Sequence, residues 1–150
     1  MSQKFYKVSP DVALESAEGL NSAVFAKADP VTMNSDGYLI YATAGSKVLG
    51  FSVDDVTMAA ANNTTPHVRV NYIPAIPGVQ MQYTADQACT QTDIGAYADL
   101  VGTTGATQIN LSAGSTGMFY VKDFDPNQDG TTTEVIVETA EPQTAAFAQS

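Results

Sequence analysis

The chain has one arginine, one histidine, one cysteine and no tryptophan among its 150 residues, and each scarcity excludes something. Six basic against sixteen acidic residues leave a formal net charge of −10. With Arg69 as the only guanidinium there is no basic surface to neutralise phosphates, so direct nucleic-acid binding is not expected. Anionic membranes would repel the chain as well. Cys89 can close no intrachain disulfide, which points to a reducing compartment, and a lone thiol among alanines reads as core rather than nucleophile. One His and one Cys are too few for a zinc site. His67 is the only imidazole that could activate a Ser or Cys, and it falls on the polar face of an expected strand, so no triad can be assembled around it. Asp54-Asp55 offers no defensible acid/base couple, and GTTGATQ (102–108) lacks the lysine and following helix of a phosphate loop. Behind Lys4 and Lys7 no apolar run follows, so neither an export signal nor a membrane span is expected. These absences describe a binding or structural protein without a cofactor, not an enzyme.

What the chain has is β alternation. At 44% hydrophobic and 150 residues it can bury one core. Strands are expected over 23–27, 37–42, 47–53, 67–73, 79–84, 108–111, 118–124 and 134–139. In HVRVNYI, Val68, Val70 and Tyr72 share one face and His67, Arg69 and Asn71 the other; in VQMQYT, Val79, Met81 and Tyr83 oppose Gln80, Gln82 and Thr84. PAIPG (74–78) between them is expected to close a hairpin, and Asn34-Ser35-Asp36-Gly37 to turn the chain before YLIYA. The fold class that follows is all-β: a small antiparallel barrel or sandwich with long loops and little helix. DVTMAAANNTT (55–65) reads as an exposed loop, and ADQACTQTDIG (85–95) holds at most one or two helical turns. Residues 1–20 read as an N-terminal arm or edge segment, 21–139 as the β domain and 140–150 as a flexible tail with little to bury. Phe5, Tyr6, Val8 and Val12 supply apolar anchors in a segment of weak alternation, which suits an arm that adds to a partner's sheet.

DFDPNQDGTTTE (123–134) tests the metal reading. From Asp125 the spacing Asp-x-Asn-x-Asp-Gly makes Asp125, Asn127 and Asp129 candidate calcium ligands, with Gly130 at the sixth position. An EF-hand also needs flanking helices and a bidentate Glu at the twelfth position, where Ile136 stands. Because GMFYVKDF and TTEVIVET are β-branched and aromatic, the stretch is expected to join two antiparallel strands, with no metal required.

The run VFAKADPVTMNSDGYLIYATAGSKVLGFSVDD, from Val24 to Asp55, resembles the opening of tailed-phage capsid cement, or head decoration, proteins: a strand enters "GDPV", a turn follows, and ATAGSKVLGFS leads to the next strand. VRVNYIPAIPGVQMQYTAD, TDIGAYADL and GMFYVKDFDPN are similar to small phage head proteins, so the likeness touches most of residues 24–138, with Ala28 where Gly is commoner. The resemblance implies a structural virion protein, made in the host cytoplasm. Such a protein sits as a homotrimer on the outside of an expanded capsid and braces the seams of the major capsid protein. A bacterial surface or carbohydrate-binding β-sandwich, with the acidic loops and aromatics such as Tyr38, Tyr41 and Tyr97 supplying sugar contacts, is the rival expectation.

Overall fold

The computed structural model describes residues 3–8, 12–43, 47–111 and 118–140. Among these residues thirteen strands follow in order: β1 (Lys4–Lys7), β2 (Glu15–Glu18), β3 (Val24–Phe25), β4 (Pro30–Met33), β5 (Leu39–Tyr41), β6 (Gly50–Ser52), β7 (Val56–Thr57), β8 (Arg69–Pro74), β9 (Gln80–Ala85), β10 (Tyr97–Thr103), β11 (Ala106–Asn110), β12 (Phe119–Asp123) and β13 (Glu134–Thr139). Among the described residues, helix is limited to short 3-10 turns such as Gln91–Asp93 and Pro126–Gln128. No described helix is long and apolar enough to cross a membrane.

Five strands close a barrel in the order β9-β11-β10-β12-β13, with β13 returning to β9. Strict alternation builds it. Met81, Tyr83, Leu100, Ile109, Phe119, Val121, Val135 and Val137 point inward and are almost fully buried, while Gln80, Gln82, Tyr97 and Tyr120 face outward. Tyr83 meets Phe119 edge-on, with ring centroids 6.1 Å apart. Four of the seams are antiparallel; the fifth, between β9 and β11, is parallel. It is short because β11 pairs only Thr84 and Ala85, and β1 lies antiparallel along Gln80–Gln82 on the same edge of β9. Thus β1 continues the barrel wall where β11 stops.

A second sheet, β2-β8-β6-β4-β5, curls until its two ends touch through a bridge between Gly19 and Leu39. The β3–β7 ribbon supplies Phe25 and Val56 beside it, and the enclosed core is Ala17, Phe25, Val31, Leu39, Met58, Val70 and Tyr72. The sheet's other side packs on the barrel: Phe51 belongs to the barrel core, 6.3 Å from Phe119. Being covered on both sides, β6 buries all three of its residues.

Several expectations need correction. PAIPG is no hairpin: β8 pairs with β2 and β6, β9 with β1, β11 and β13, and the prolines carry the chain from one sheet to the other. Ala75 explains this, since it is buried and its N–H donates to Leu49 O (3.0 Å), extending the β6 side of the ladder. The DPV stretch is itself a strand, with Pro30 at its first residue, where a missing N–H is tolerated. Strand β10 lies in a stretch where small Ala98 and charged Asp99 hid the alternation. The 123–134 stretch does join antiparallel β12 and β13, and Asn34 closes its turn by accepting from the N–H groups of Asp36 (2.9 Å) and Tyr38 (3.0 Å). Of the expected tail, 141–150 lies outside the described residues, while Ala140 is buried and its N–H donates to Met118 O (2.9 Å).

Candidate functional site

Among the described residues, the most heavily hydrogen-bonded carboxylate joins the two sheets. Asp29, fully buried in the turn before β4, accepts from Ala26 N (2.9 Å), Gly105 N (2.9 Å), Gln3 Nε2 (2.5 Å) and the Thr104 hydroxyl. One side chain therefore ties the β3–β4 turn, the β10–β11 hairpin and the N-terminal segment. Beside it, Tyr83 donates to Ala28 O (2.6 Å), and the Tyr41 hydroxyl bonds to that of Thr107 (2.8 Å). Burial pushes the Tyr41 phenol up to about 12, with the charge of Asp29 adding to the shift and the Thr107 bond opposing it. Burial, then the same carboxylate, drives Tyr83 well above the ordinary phenol range. With each polar group spent on a protein partner, this cluster is a structural clamp.

His67 bonds through Nδ1 to Glu18 Oε2 at 3.1 Å. Hydrogen bonds from Asn63 and then His67 hold the Glu18 carboxyl below its ordinary value. No Ser or Cys completes a relay at His67 among the described residues. The 55–65 stretch is exposed over most of its length, with β7 at its start and Met58 and Asn62 as its buried side chains. Asn62 is fully buried, donating to Gly19 O (2.8 Å) and Val68 O (3.2 Å) and accepting from Val68 N (2.8 Å), which seals the end of the second sheet. A buried Asn is invisible in a run of polar residues, because only the tertiary fold supplies its partners.

The candidate site is a cleft of about 570 Å³ on the barrel's outer face, walled by the β12–β13 loop and rimmed by β1. Its lining includes Tyr6, Asp123, Phe124, Asp125, Glu134 and Ile136. Two bulges shape it. The β1–β9 register shifts between Phe5 and Lys7, and the β12–β13 register between Val121 and Asp123, so both walls bend at the cleft. The loop is held mainly by backbone: Gly130 N donates to Cys89 O (2.7 Å) and Cys89 N to Thr132 O (2.7 Å).

The two aspartates among the calcium candidates are engaged in other tasks. Asp125 Oδ1 accepts from Asn127 N (3.0 Å) and caps the 3-10 turn, while Asp129 Oδ1 accepts from Gln91 N (3.1 Å) across the loop. No cluster of three or more His, Cys, Asp or Glu side chains fit for a metal ion occurs among the described residues. Of the four apolar anchors, Phe5 and Val12 pack on the barrel core, Val8 is half-buried, and Tyr6 is 55% exposed. The arm segment thus contains two edge strands, β1 and β2, bonded to different sheets. The tyrosines expected to contact sugar fall in separate places: Tyr38 lies in the β4–β5 turn, Tyr41 bonds to Thr107, and Tyr97 packs on Tyr120 with centroids 4.5 Å apart. Sequence reading found Tyr6 and Asp125 but not their association, which the pairing of β1 with β9 creates.

No protein-family model matches the chain, and no curated protein is significantly similar to it.

Proposed function

We propose that this protein is a structural virion subunit that binds the outside of an expanded phage capsid and reinforces the seams between capsomers. The observation that carries the reading is the resemblance of Val24–Asp55 to capsid cement proteins, together with what that segment builds: β3 to β6 and the Asp29 clamp that joins both sheets into one body. A brace must transmit load between the subunits it touches. A closed barrel clamped to a second curled sheet is suited to that, because neither sheet can shift without breaking buried hydrogen bonds.

The functional unit is a homotrimer on the shell, with the major capsid protein as its partner. Three linked copies gain by avidity what each small interface lacks. Binding only the expanded lattice stabilises that state by linkage. The polar clusters around Asp29 and His67 serve the fold, so the role is binding and not catalysis. Its contact surface centres on Tyr6, with Val8 beside it, while Phe5 and Val12 anchor β1 to the barrel.

The experiment is co-sedimentation of purified protein with expanded and unexpanded shells of the phage that encodes it. Saturable binding to expanded shells in a fixed ratio is expected, with multi-angle light scattering showing a trimer or a monomer that trimerises on the shell. Equal recovery from both shell states, or from neither, overturns the reading, and a stable dimer at all concentrations overturns the trimer.

A further inference from the structure

We propose that Tyr97 and Tyr120, side by side on the outer wall of the barrel, form an oxidative cross-linking site: a haem peroxidase with hydrogen peroxide joins the two rings as dityrosine, a covalent staple between β10 and β12 within one chain.

The register of β10 and β12 sets the two side chains directly opposite each other, on the face that points away from the barrel core. Their ring centroids lie 4.5 Å apart with the planes 31° from parallel, and the Tyr120 hydroxyl donates to Tyr97 Oη at 2.7 Å. The rings therefore close toward their hydroxyl ends. In a phenol that has lost one electron and its proton, the unpaired electron spreads from the oxygen to the ring carbons beside it, the two Cε positions. A contact between hydroxyls thus brings the reactive edges of both rings together. Both residues are half-buried, so the pair is held in place yet open to an oxidant.

Composition and burial direct the chemistry to this pair. The chain has no tryptophan to compete for the oxidising equivalent, and its one cysteine, Cys89, is buried. Tyr72 and Tyr83 are buried, Tyr41 is bonded to Thr107, and Tyr6 and Tyr38 lie on β1 and in the β4–β5 turn. Each member of the pair gives up one electron, and its hydroxyl proton passes to solvent. The two phenoxyl radicals then join their unpaired electrons in one carbon–carbon bond between facing Cε atoms, and the hydrogen on each of those carbons moves to its own ring's oxygen as the rings regain aromaticity. Hydrogen peroxide takes up the two electrons and two protons through the peroxidase haem and leaves as two waters. The new bond ties a seam whose register consists of Tyr97–Tyr120 and Ala98–Phe119, and it closes the loop from 97 to 120 as a disulfide would. Nothing in this step depends on a capsid partner.

The test treats native full-length protein with a haem peroxidase and hydrogen peroxide, reads the blue fluorescence of dityrosine, and separates the products on a denaturing gel. A fluorescent product at the mass of one chain is expected, lighter by two hydrogens, in which cleavage before aspartate leaves peptide 93–98 joined to peptide 99–122. Tyr97→Phe and Tyr120→Phe should each abolish that product, whereas Tyr6→Phe combined with Tyr38→Phe should leave its yield unchanged. Far-UV dichroism confirms that each variant is folded, and the peptide map needs no variant at all. Treatment should raise the melting temperature of the parent by about 5 °C, by the loop-closure effect of a covalent bridge, and leave that of Tyr97→Phe unraised. No fluorescence, fluorescence confined to linked multimers, a join between other peptides, or an undiminished one-chain product in either phenylalanine variant overturns the proposal. No rise in the parent's melting temperature, or an equal rise in Tyr97→Phe, overturns the stapling role.

Discussion

At Asp29 four donors from three parts of the chain meet one buried carboxylate, and truncating it would strand them all. Unpaired buried donors cost about 1–3 kcal/mol each, so Asp29→Ala is expected to lose at least about 3 kcal/mol even after partial relaxation. In a chain of this size that lowers the melting temperature by roughly 6–12 °C by calorimetry; a change under about 2 °C would show that the clamp is not needed. Its neighbour Ala28 is held at φ 72°, a conformation that suits glycine, by Ser52 O accepting from its N–H and Tyr83 donating to its carbonyl. The left-handed backbone costs about 1 kcal/mol, but the buried Ala28 methyl returns about 0.8. Ala28→Gly should therefore shift the urea midpoint little, and a loss above about 1 kcal/mol would mean that the methyl packs better than its area implies. Cys89 is fully buried, and burial followed by the charge of Asp93 pushes its thiol up to about 11. It should resist a disulfide reagent at pH 8 in the native protein and react fully in guanidinium; rapid native labelling would contradict this.

Among the elements, the β12–β13 loop separates appearance from cause. Its sequence has the spacing of a calcium loop, yet its shape rests on backbone bonds to Cys89 and on Gly130 at φ 77°, where a β-carbon-bearing residue is strained. Changing Asp125, Asn127 and Asp129 together to Ser should cost about 1 kcal/mol, since Ser still caps the 3-10 turn and the Asp129 contact is exposed. Thermal melts with and without millimolar calcium test this: a strong rise in the parent, absent in the variant, would restore the metal reading.

For the whole molecule, the tyrosines beside Asp29 set an alkaline limit. Tyr41 is raised in the folded state to about 12 from an ordinary value of 10.0, so the native protein holds a proton there that the unfolded chain releases. The resulting stability is complete below about pH 10 and is lost as pH rises from 10 towards 12, and Tyr83 acts in the same direction. Tyr41→Phe should be less stable at pH 8, having lost the Thr107 bond, but should decline less steeply between pH 10 and 11 than the parent in urea titrations. Equal slopes would place the alkaline sensitivity elsewhere.

The sequence by itself determined the class of the fold and much of its strand pattern. Alternation is a local property: Val70 and Tyr72, or Met81 and Tyr83, declare their inward face whatever they pack against. The same locality identified the Asn34 turn and the β12–β13 connection, and it brought both Tyr6 and Asp125 to notice. Pairing is not local, and only the tertiary structure decided it. Short strands such as Glu15–Glu18, with Ala17 as their one buried residue, exist because a neighbour supplies the ladder. PAIPG can turn back or cross over with equal ease, and the burial of Ala75 beside β6 selects crossing. The burial of Asn62 and Asp29, the parallel β9–β11 seam and the meeting of Tyr6 with the acidic loop all depend on partners far away in the chain, and no window of residues contains both halves of such a contact.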